Sequence, residues 1–305
     1  MAKPTICVIF NPASGKKEGH PETETLLERI RNDPRMELRA SKSPDDLPKV
    51  VSEALTEGFD TIVAAGGDGT IGAVTAQLVG QDATLGILPM GTFNFMARSL
   101  GIPEDLDAAL EVVLDGRDAP LDIGDVNGKV FLNNASIGAY AAVLDVREGV
   151  YRRWGRSRLA AYWSVVLALL TIYRPLRMTV TVDGKTWQTR SPMAFVASSA
   201  YQLDHYDFEG ADAVRDGRVA LILAPDSNRL QLLWRSLKIL LGGVQRNEDY
   251  FLHVGQEILI ETQRSNRLVA RDGEKGTMKG PYRFSLHRNA VRVRVPATET
   301  NQGGP

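Results

Sequence analysis

Three glycines fall within four positions of the run Gly66-Gly67-Asp68-Gly69-Thr70, between a strand-like segment at residues 61–65 and a helical pattern at 71–79. Glycine permits positive φ angles and lets a phosphate approach the backbone, where amide groups and the helix N-terminus meet its charge. Asp68 would repel a bare phosphate, so it implies Mg²⁺ or a hydroxyl between them. A tight turn with Asp68 as helix cap is the alternative, but the glycine density favours nucleotide-phosphate binding.

Two other loops follow predicted strands in the same way. Gly91, Thr92 and Asn94 lead from one strand into a helix, and residues 11–15 follow the first strand. The carboxyl ends of parallel strands share one edge of the sheet, where ligands bind. The three loops therefore predict a nucleotide crevice, although helix capping by Thr92 and Asn94, and a plain turn at 11–15, are alternatives.

The elements that position these loops change character near residue 121. Before it, apolar runs at 6–10, 36–40, 61–65 and 84–88 alternate with helical spacings, which predicts a parallel sheet covered by helices. The second helix is expected to begin at a cap, Asp45 or Asp46. After residue 121, Asp183-Gly184 and Asp272-Gly273 punctuate short β-rich segments, which predicts antiparallel sheets. These segments lie at 130–133, 176–182, 186–190, 194–198, 219–223, 257–262, 268–271 and 291–295.

We therefore predict an α/β domain over residues 1–121 and a β domain over 122–296, whose last strand is free to return to the first domain. Residues 297–305 are polar and predicted to be disordered. Two helical stretches, at 159–173 and 230–241, interrupt the β domain.

Composition excludes several classes of protein. The 305 residues carry a formal net charge of −1, which rules out a global basic field for nucleic acid. The single cysteine, Cys7, excludes an intrachain disulfide and is expected in the core of a protein from a reducing compartment. The stretch 159–173 is shorter than the roughly 20 residues of a membrane-spanning helix, and no secretory leader is evident. We expect a cytoplasmic protein, and the scattered histidines predict no zinc site.

The ordered motifs resemble the diacylglycerol kinase catalytic family of lipid kinases, which includes sphingosine and ceramide kinases. NAD kinases and phosphofructokinases share the glycine-rich run, so the ordered set carries the resemblance. It implies a Rossmann-like α/β domain that binds ATP, a C-terminal antiparallel β-sandwich, and an active site in the cleft between them. The motifs are Asn11-Pro12-Ala13-Ser14-Gly15, Gly66-Gly67-Asp68-Gly69-Thr70, Gly91-Thr92-Phe93-Asn94 with residues 97–103, Leu121-Asp122-Ile123-Gly124, and Asp272-Gly273-Glu274.

The resemblance also implies roles for individual residues. Asp68 and Asp122 organise Mg²⁺, and Asp272 or Glu274 takes the proton from the acceptor hydroxyl, with Asp68 in the same catalytic set. From the residues alone, a plain hairpin turn at 272–274 is equally acceptable. The expected ATP contacts are Asn11, Pro12, Ala13, Ser14, Gly15, Ser41, Gly66, Gly67, Asp68, Gly69, Thr70, Gly91, Thr92 and Asn94.

The chain departs from the family pattern in several places. Phe95 stands where many members carry Asp, which removes a polar group from the nucleotide and metal network. Relatives hold a structural Mg²⁺ near an Asp-Gly turn; Asp216 matches it, but Ala213 replaces another Asp, with Asp212 as a substitute. Residues 201–205 replace a glycine-rich segment. These departures bear on the identity of the acceptor more than on activity.

The leading hypothesis is an ATP- and Mg²⁺-dependent kinase for a lipid hydroxyl, with diacylglycerol as the default acceptor. A kinase for a sphingoid base, a lipid- or nucleotide-binding regulator with decayed catalysis, and a kinase for a soluble acceptor such as NAD are the alternatives. A lipid acceptor implies transient peripheral contact with a membrane, through the basic, aromatic segment 147–158 or the stretch 230–241. Core-packed helices with solvated arginines are the plainer interpretation. No nucleic-acid partner is expected, and a homodimer is left open.

Overall fold

The computed structural model describes residues 4–12, 21–138, 175–226, 230–231, 234 and 248–297. The chain divides into two compact units, one formed by the chain up to Ile123 together with the segment from Arg288, and the other by Gly124–His287. The sequence predicts the boundary two residues earlier, at residue 121. The predicted basic segment 147–158, the stretch 159–173 and the tail from residue 298 lie outside the described residues.

A parallel sheet forms the centre of the first unit. Its strands are β1 (Ile6–Phe10), β2 (Met36–Ala40), β3 (Thr61–Gly66) and β4 (Thr84–Pro89), in the order β2-β1-β3-β4. Every residue of β3 and β4 is buried, as expected where helices cover both faces of a parallel sheet. The predicted strands are therefore confirmed. Cys7 is fully buried in β1, which confirms its predicted place in the core, and burial raises the pKa of its thiol to about 12.

The helices of this unit are α1 (Pro21–Asn32), α2 (Leu47–Glu57), α3 (Asp68–Leu78), α4 (Phe95–Ser99) and α5 (Leu106–Asp115). Asp46 stands at the N-cap of α2, but its carboxylate accepts from Lys42 N and does not cap the helix. The capping prediction is wrong because Asp46 has helical backbone angles, whereas a capping side chain requires an extended residue. Asp105, which is extended, accepts from Ala108 N and caps α5.

The second unit is an antiparallel β-sandwich. One sheet has the order β12-β11-β10-β7-β14-β15, and the other joins β16, β13, β8 and β9. Its strands are β5 (Arg117–Val126), which begins in the first unit, β6 (Lys129–Phe131), β7 (Asn134–Gly138), β8 (Leu176–Val182), β9 (Lys185–Ser191), β10 (Met193–Ala197), β11 (Val219–Leu223), β12 (Phe251–Gly255), β13 (Glu257–Thr262), β14 (Asn266–Arg271), β15 (Glu274–Lys279) and β16 (Tyr282–Val295), which ends in the first unit beside β4.

Apolar side chains from both sheets form one core in this unit. Ile137 and Val269 come from the first sheet, and Val180 and Ile258 come from the second. Two short helices, α6 (Ala200–His205) and α7 (Ala211–Arg215), pack beside the first sheet through a smaller apolar cluster.

Several details differ from the sequence prediction. Strand β12 was not predicted, and β16 begins nine residues before the predicted segment 291–295. The predicted strand at 130–133 is two strands, β6 and β7, with residues 132–133 between them. Strand β5 begins at Arg117 and contains Asp122, although the predicted β-rich segments begin only at residue 130. Strand β15 has little β propensity and forms because the turn at 272–273 pairs it with β14. Among the residues described, no helix is long and apolar enough to cross a membrane.

Two glycines make a matched test of packing. A Cβ on Gly124 would lie 2.4 Å from Cε2 of the buried Phe131, so we expect Gly124→Ala to lower the free energy of unfolding by about 1–3 kcal/mol. Gly72 lies inside α3 with open space around it, so Gly72→Ala should raise that free energy by about 0.5–1 kcal/mol. Urea unfolding of both variants checks the opposite signs; a loss in both would contradict the described environment of Gly72.

Candidate active site

The predicted loops meet at the carboxyl edge of the parallel sheet. Asn11, Ser41 and Gly91 follow β1, β2 and β4, and the glycine-rich run overlaps the end of β3. The side-chain amide of Asn11 donates to the hydroxyl of Thr70 over 3.0 Å, and Met90 N donates to Gly66 O over 2.9 Å. The structure therefore brings three of the loops into direct contact through buried groups.

Close backbone approach explains the glycines at this edge. A Cβ on Gly91 would lie 2.7 Å from the Cα of Gly67, and a Cβ on Gly66 would lie 2.6 Å from Thr70 Cβ. None of these three glycines has a positive φ; Gly67 has φ −85° and ψ −178°. The expectation of positive backbone angles is wrong here. Gly91 is required by the close approach of the two loops, and Gly66 by its close contact with Thr70 in the same run.

Asp68 connects the glycine-rich run to the loop after β4. It is the first residue of α3, but its Oδ1 accepts from Met96 N, in the first turn of α4, over 3.1 Å. Burial raises the pKa of the Asp68 carboxyl, while the amides of Met96, Phe95 and Asn94 favour its charged form. The alternative interpretation, in which Asp68 caps its own helix α3, is therefore wrong. The carboxylate instead accepts a hydrogen bond from the start of α4.

Asn94 organises the second loop from within. It has a positive φ of 50°, its Oδ1 accepts from Gly91 N over 2.9 Å, and its Nδ2 donates to Glu104 over 3.0 Å. Although Asn94 is the N-cap residue of α4, its side chain does not cap that helix. The same amide therefore fixes the position of Gly91, which must pass close to Gly67.

An aromatic pair occupies the place where the family pattern has Asp. Phe95 is partly buried and stacks on Phe93, with ring centroids 5.8 Å apart and an interplanar angle of 13°. Phe93 is 62% exposed, and Thr92 beside it is also exposed. Replacement of the acid therefore leaves an apolar surface next to the glycine loops.

The remaining predicted ATP contacts have mixed surroundings. Ser41 is buried, and its hydroxyl lies 3.4 Å from Phe10 O. Gly69 is exposed in the first turn of α3, and Pro12 is partly buried. Ala13, Ser14 and Gly15 lie outside the described residues. The individual ATP contacts therefore stay predictions.

Asp272 forms part of a two-residue hairpin turn in the second unit. Asp272 and Gly273 have φ angles of 46° and 84°, and the flanking Arg271 and Glu274 are paired across β14 and β15. Two successive positive φ angles are the geometry that matches the twist of paired strands. The hairpin interpretation is therefore correct for the backbone, but it leaves the carboxylate to be explained.

The Asp272 carboxylate is held by three backbone amides from residues that the sequence analysis did not single out. Oδ2 accepts from Leu132 N over 2.6 Å, and Oδ1 accepts from Asn133 N over 2.8 Å and Asn134 N over 3.1 Å. Burial raises the pKa of the Asp272 carboxyl, while the three amides and Arg271 favour its charged form. The sequence signal that was available is the asparagine pair in a gap between strands.

Within this segment, two buried oxygens have no hydrogen-bond partner among the described residues: Asn133 Oδ1 and Asn134 Oδ1. Glu274, the other predicted base, is exposed at the start of β15. The structure thus provides one immobilised carboxylate and one exposed carboxylate in the same turn.

The predicted metal ligands have protein partners. Asp122 Oδ1 accepts from Asn289 N over 2.8 Å, and Asp216 is exposed, with Oδ2 at 3.3 Å from Arg218. Asp212, the substitute ligand, pairs with Arg215 over 2.8 Å. Within the described part of either unit, no three His, Cys, Asp or Glu side chains are grouped to hold a metal. Mg²⁺ bound with a nucleotide typically needs only one or two carboxylates, so Asp68 and Asp122 stay predictions, as does Asp216.

Comparison with known proteins gives a consistent result along the chain. Residues 5–126 match the diacylglycerol kinase catalytic domain, and residues 135–295 match the YegS C-terminal NAD kinase beta sandwich-like domain. A Pseudomonas aeruginosa protein named "Probable lipid kinase YegS-like" is 42% identical over 302 residues, 97% of this chain and 96% of that protein.

Two more distant relatives cover almost all of the chain. The diacylglycerol kinase of Bacillus subtilis is 29% identical over 301 residues, 97% of both proteins. A crystal structure of a diacylglycerol kinase from Bacillus anthracis superposes with a TM-score of 0.67 over 95% of this chain and 96% of that one, at 20% identity, which supports the fold. The motifs, both domain matches and the full-length relatives agree: the chain belongs to the diacylglycerol kinase-like family of lipid kinases.

Proposed function

We propose that this protein transfers the γ-phosphate of ATP, bound with Mg²⁺, to the hydroxyl of a lipid, and that the acceptor is diacylglycerol, giving phosphatidic acid. The observation that carries the proposal is the contact between the two glycine loops, where a Cβ on Gly91 would lie 2.7 Å from the Cα of Gly67 and where Asp68 joins the loops. Membership of a lipid kinase family supports the reaction type, and the name of the Bacillus subtilis relative supports the acceptor.

On the donor side, the chain contributes loops at one sheet edge and a partly buried carboxylate. Glycine loops at the start of a helix suit phosphate groups because their amides are accessible to a close ligand. Asp68 offers carboxylate oxygen, the ligand type that Mg²⁺ prefers. When bound, Mg²⁺ would neutralise charge that develops on the transferred phosphoryl group.

On the acceptor side, Asp272 is the stronger candidate for the base. Its carboxylate is fixed by three amides, and its raised pKa makes it a better proton acceptor than an ordinary aspartate. In this proposal Asp272 takes the proton of the lipid hydroxyl as that oxygen attacks phosphorus. A lipid acceptor also requires a peripheral, transient encounter with the cytoplasmic face of a membrane.

Substitution of Asp272 tests this role. We expect Asp272→Asn to lower kcat by about 100-fold or more, because a general base is worth about that factor, while the affinity for ATP is retained. The assay measures lipid phosphorylation with Mg²⁺ and ATP on mixed micelles of diacylglycerol, with a sphingoid base and NAD as parallel acceptors.

Glu274→Gln is the matched control, one residue beyond the turn. A larger loss in Glu274→Gln than in Asp272→Asn would transfer the role of base to Glu274. Equal losses of turnover and ATP affinity would count against either residue as base. If the wild-type protein binds ATP but transfers phosphate to none of the acceptors, the alternative hypothesis of a binding protein with decayed catalysis is favoured.

Substitution of Asp68 separates function from stability. The folded pKa of Asp68 is raised, so its contribution to stability is present at low pH and is lost as the pH rises through the folded value. Without nucleotide or metal, Asp68→Asn should therefore be at least as stable as wild type at pH 7, while its kinase activity is lost. Asp68→Ala, which removes the acceptor for Met96 N, should cost about 1 kcal/mol.

Thermal unfolding of the three proteins at pH 4 and pH 7 measures this difference. The advantage of Asp68→Asn over wild type should widen at the higher pH. If Asp68→Asn proves less stable than wild type at pH 7, by as much as Asp68→Ala, then ionised Asp68 supports the fold and the prediction is wrong.

A further inference from the structure

The segment 132–134, which links β6 to the first residue of β7, has every backbone polar group satisfied. Its three N–H groups donate to the Asp272 carboxylate. On its carbonyl side, Leu132 O accepts from the Ser198 hydroxyl over 3.0 Å, Asn133 O accepts from Ser198 N over 2.9 Å, and Asn134 O accepts from Asp272 N over 2.9 Å. One serine and one aspartate thus account for all six of these hydrogen bonds.

A further hydrogen bond holds the side chain of Asn134 in this segment. Asn134 Nδ2 donates to Gln202 Oε1 over 2.9 Å, and Gln202 lies on α6, whose N-cap is Ser199. Asn134, Ser198 and Gln202 are each less than a tenth exposed. Hydrogen bonds in such dry surroundings are electrostatically strong, so the group is expected to move as one rigid body.

We propose that Ser198 is a positioning residue for Asp272: its hydroxyl holds the Leu132 carbonyl and its backbone N–H holds the Asn133 carbonyl, which aims the amides of Asn133 and Asn134 at the carboxylate. Gln202 does the same through the Asn134 side chain. A hairpin turn needs no such support for its aspartate, since the turn geometry is complete without it. The inference rests on the proposed function, in which Asp272 acts on the lipid hydroxyl.

The first test does not depend on kinase activity. The carboxyl pKa of Asp272 is measured by NMR on aspartate-labelled protein, in wild type and in Ser198→Ala. The variant keeps the bond from its backbone N–H to Asn133 O but frees the Leu132 carbonyl. The Asn133 amide then stabilises the charged form less well, so the pKa should rise by about one unit. The neighbouring charged groups, Arg271 and Glu274, are the same in both proteins.

Ser191→Ala is the matched control. Ser191 is also buried in the same unit, and its hydroxyl lies 2.6 Å from Met193 O and 2.7 Å from Ala224 O, acceptors that are outside residues 132–134. It should lower stability without moving the pKa of Asp272. Ser198→Thr, which keeps the hydroxyl, should keep the wild-type value.

The second test is kinetic. Ser198→Ala should lower kcat by about 10-fold and leave the KM for ATP unchanged. It should also move the acidic limb of the pH–rate profile to higher pH, because a base must be deprotonated to act. An unchanged carboxyl pKa and an unchanged acidic limb in Ser198→Ala would overturn the positioning role. If Ser198→Ala does not fold, the same measurements on Gln202→Leu decide, and a wild-type pKa there overturns the inference.

The experiments distinguish failure of the positioning role of Ser198 from failure of Asp272 as the base. A shifted carboxyl pKa in Ser198→Ala, together with full activity of Asp272→Asn, would uphold the positioning and refute Asp272 as the base. A wild-type pKa in Ser198→Ala, together with an inactive Asp272→Asn, would refute the positioning alone.

Discussion

Backbone N–H groups at the ends of strands and the starts of helices need acceptors, and in this chain aspartates supply them at both parts of the candidate site. Asp68 accepts from the start of α4, and Asp272 accepts from the segment between β6 and β7. Because an amide has a fixed direction, it positions a carboxylate more strictly than a mobile lysine or arginine side chain does. The geometry of both acids is thereby a consequence of the backbone fold.

This arrangement costs stability. Burial raises the pKa of both carboxyls, so ionising either of them costs free energy in the folded protein. At Asp68 a neutral amide oxygen could accept the bond from Met96 N without that cost. At Asp272 both carboxylate oxygens accept, which an amide with one acceptor oxygen cannot reproduce. Perturbed acids of this kind are typical of functional sites, where strain or desolvation serves the chemistry and the surrounding packing offsets it.

Sequence reasoning recovers the parts of this molecule that have local signals. The strands of the parallel sheet are continuous apolar runs, and the loops at their carboxyl ends follow from parallel topology, so Asn11, Gly66 and Gly91 could be placed together in advance. The amide partners of Asp272 could not be predicted, because they are about 140 positions away in the chain and are joined to it only by the sheet. The role of Asp46 was missed because a 3-10 turn, which has no clear pattern, changed its backbone angles.

The left-handed backbone of Asp272 restricts which acid can stand there. A positive φ is tolerated by Asp and Asn, whose short polar side chains bond locally, far better than by longer side chains. Glu274, by contrast, begins a strand with ordinary extended geometry. The two acids of the turn are therefore not interchangeable: aspartate at the first position is dictated by backbone conformation, whereas the third position can vary in length. The backbone conformation of the turn therefore limits the length of the acidic side chain at position 272.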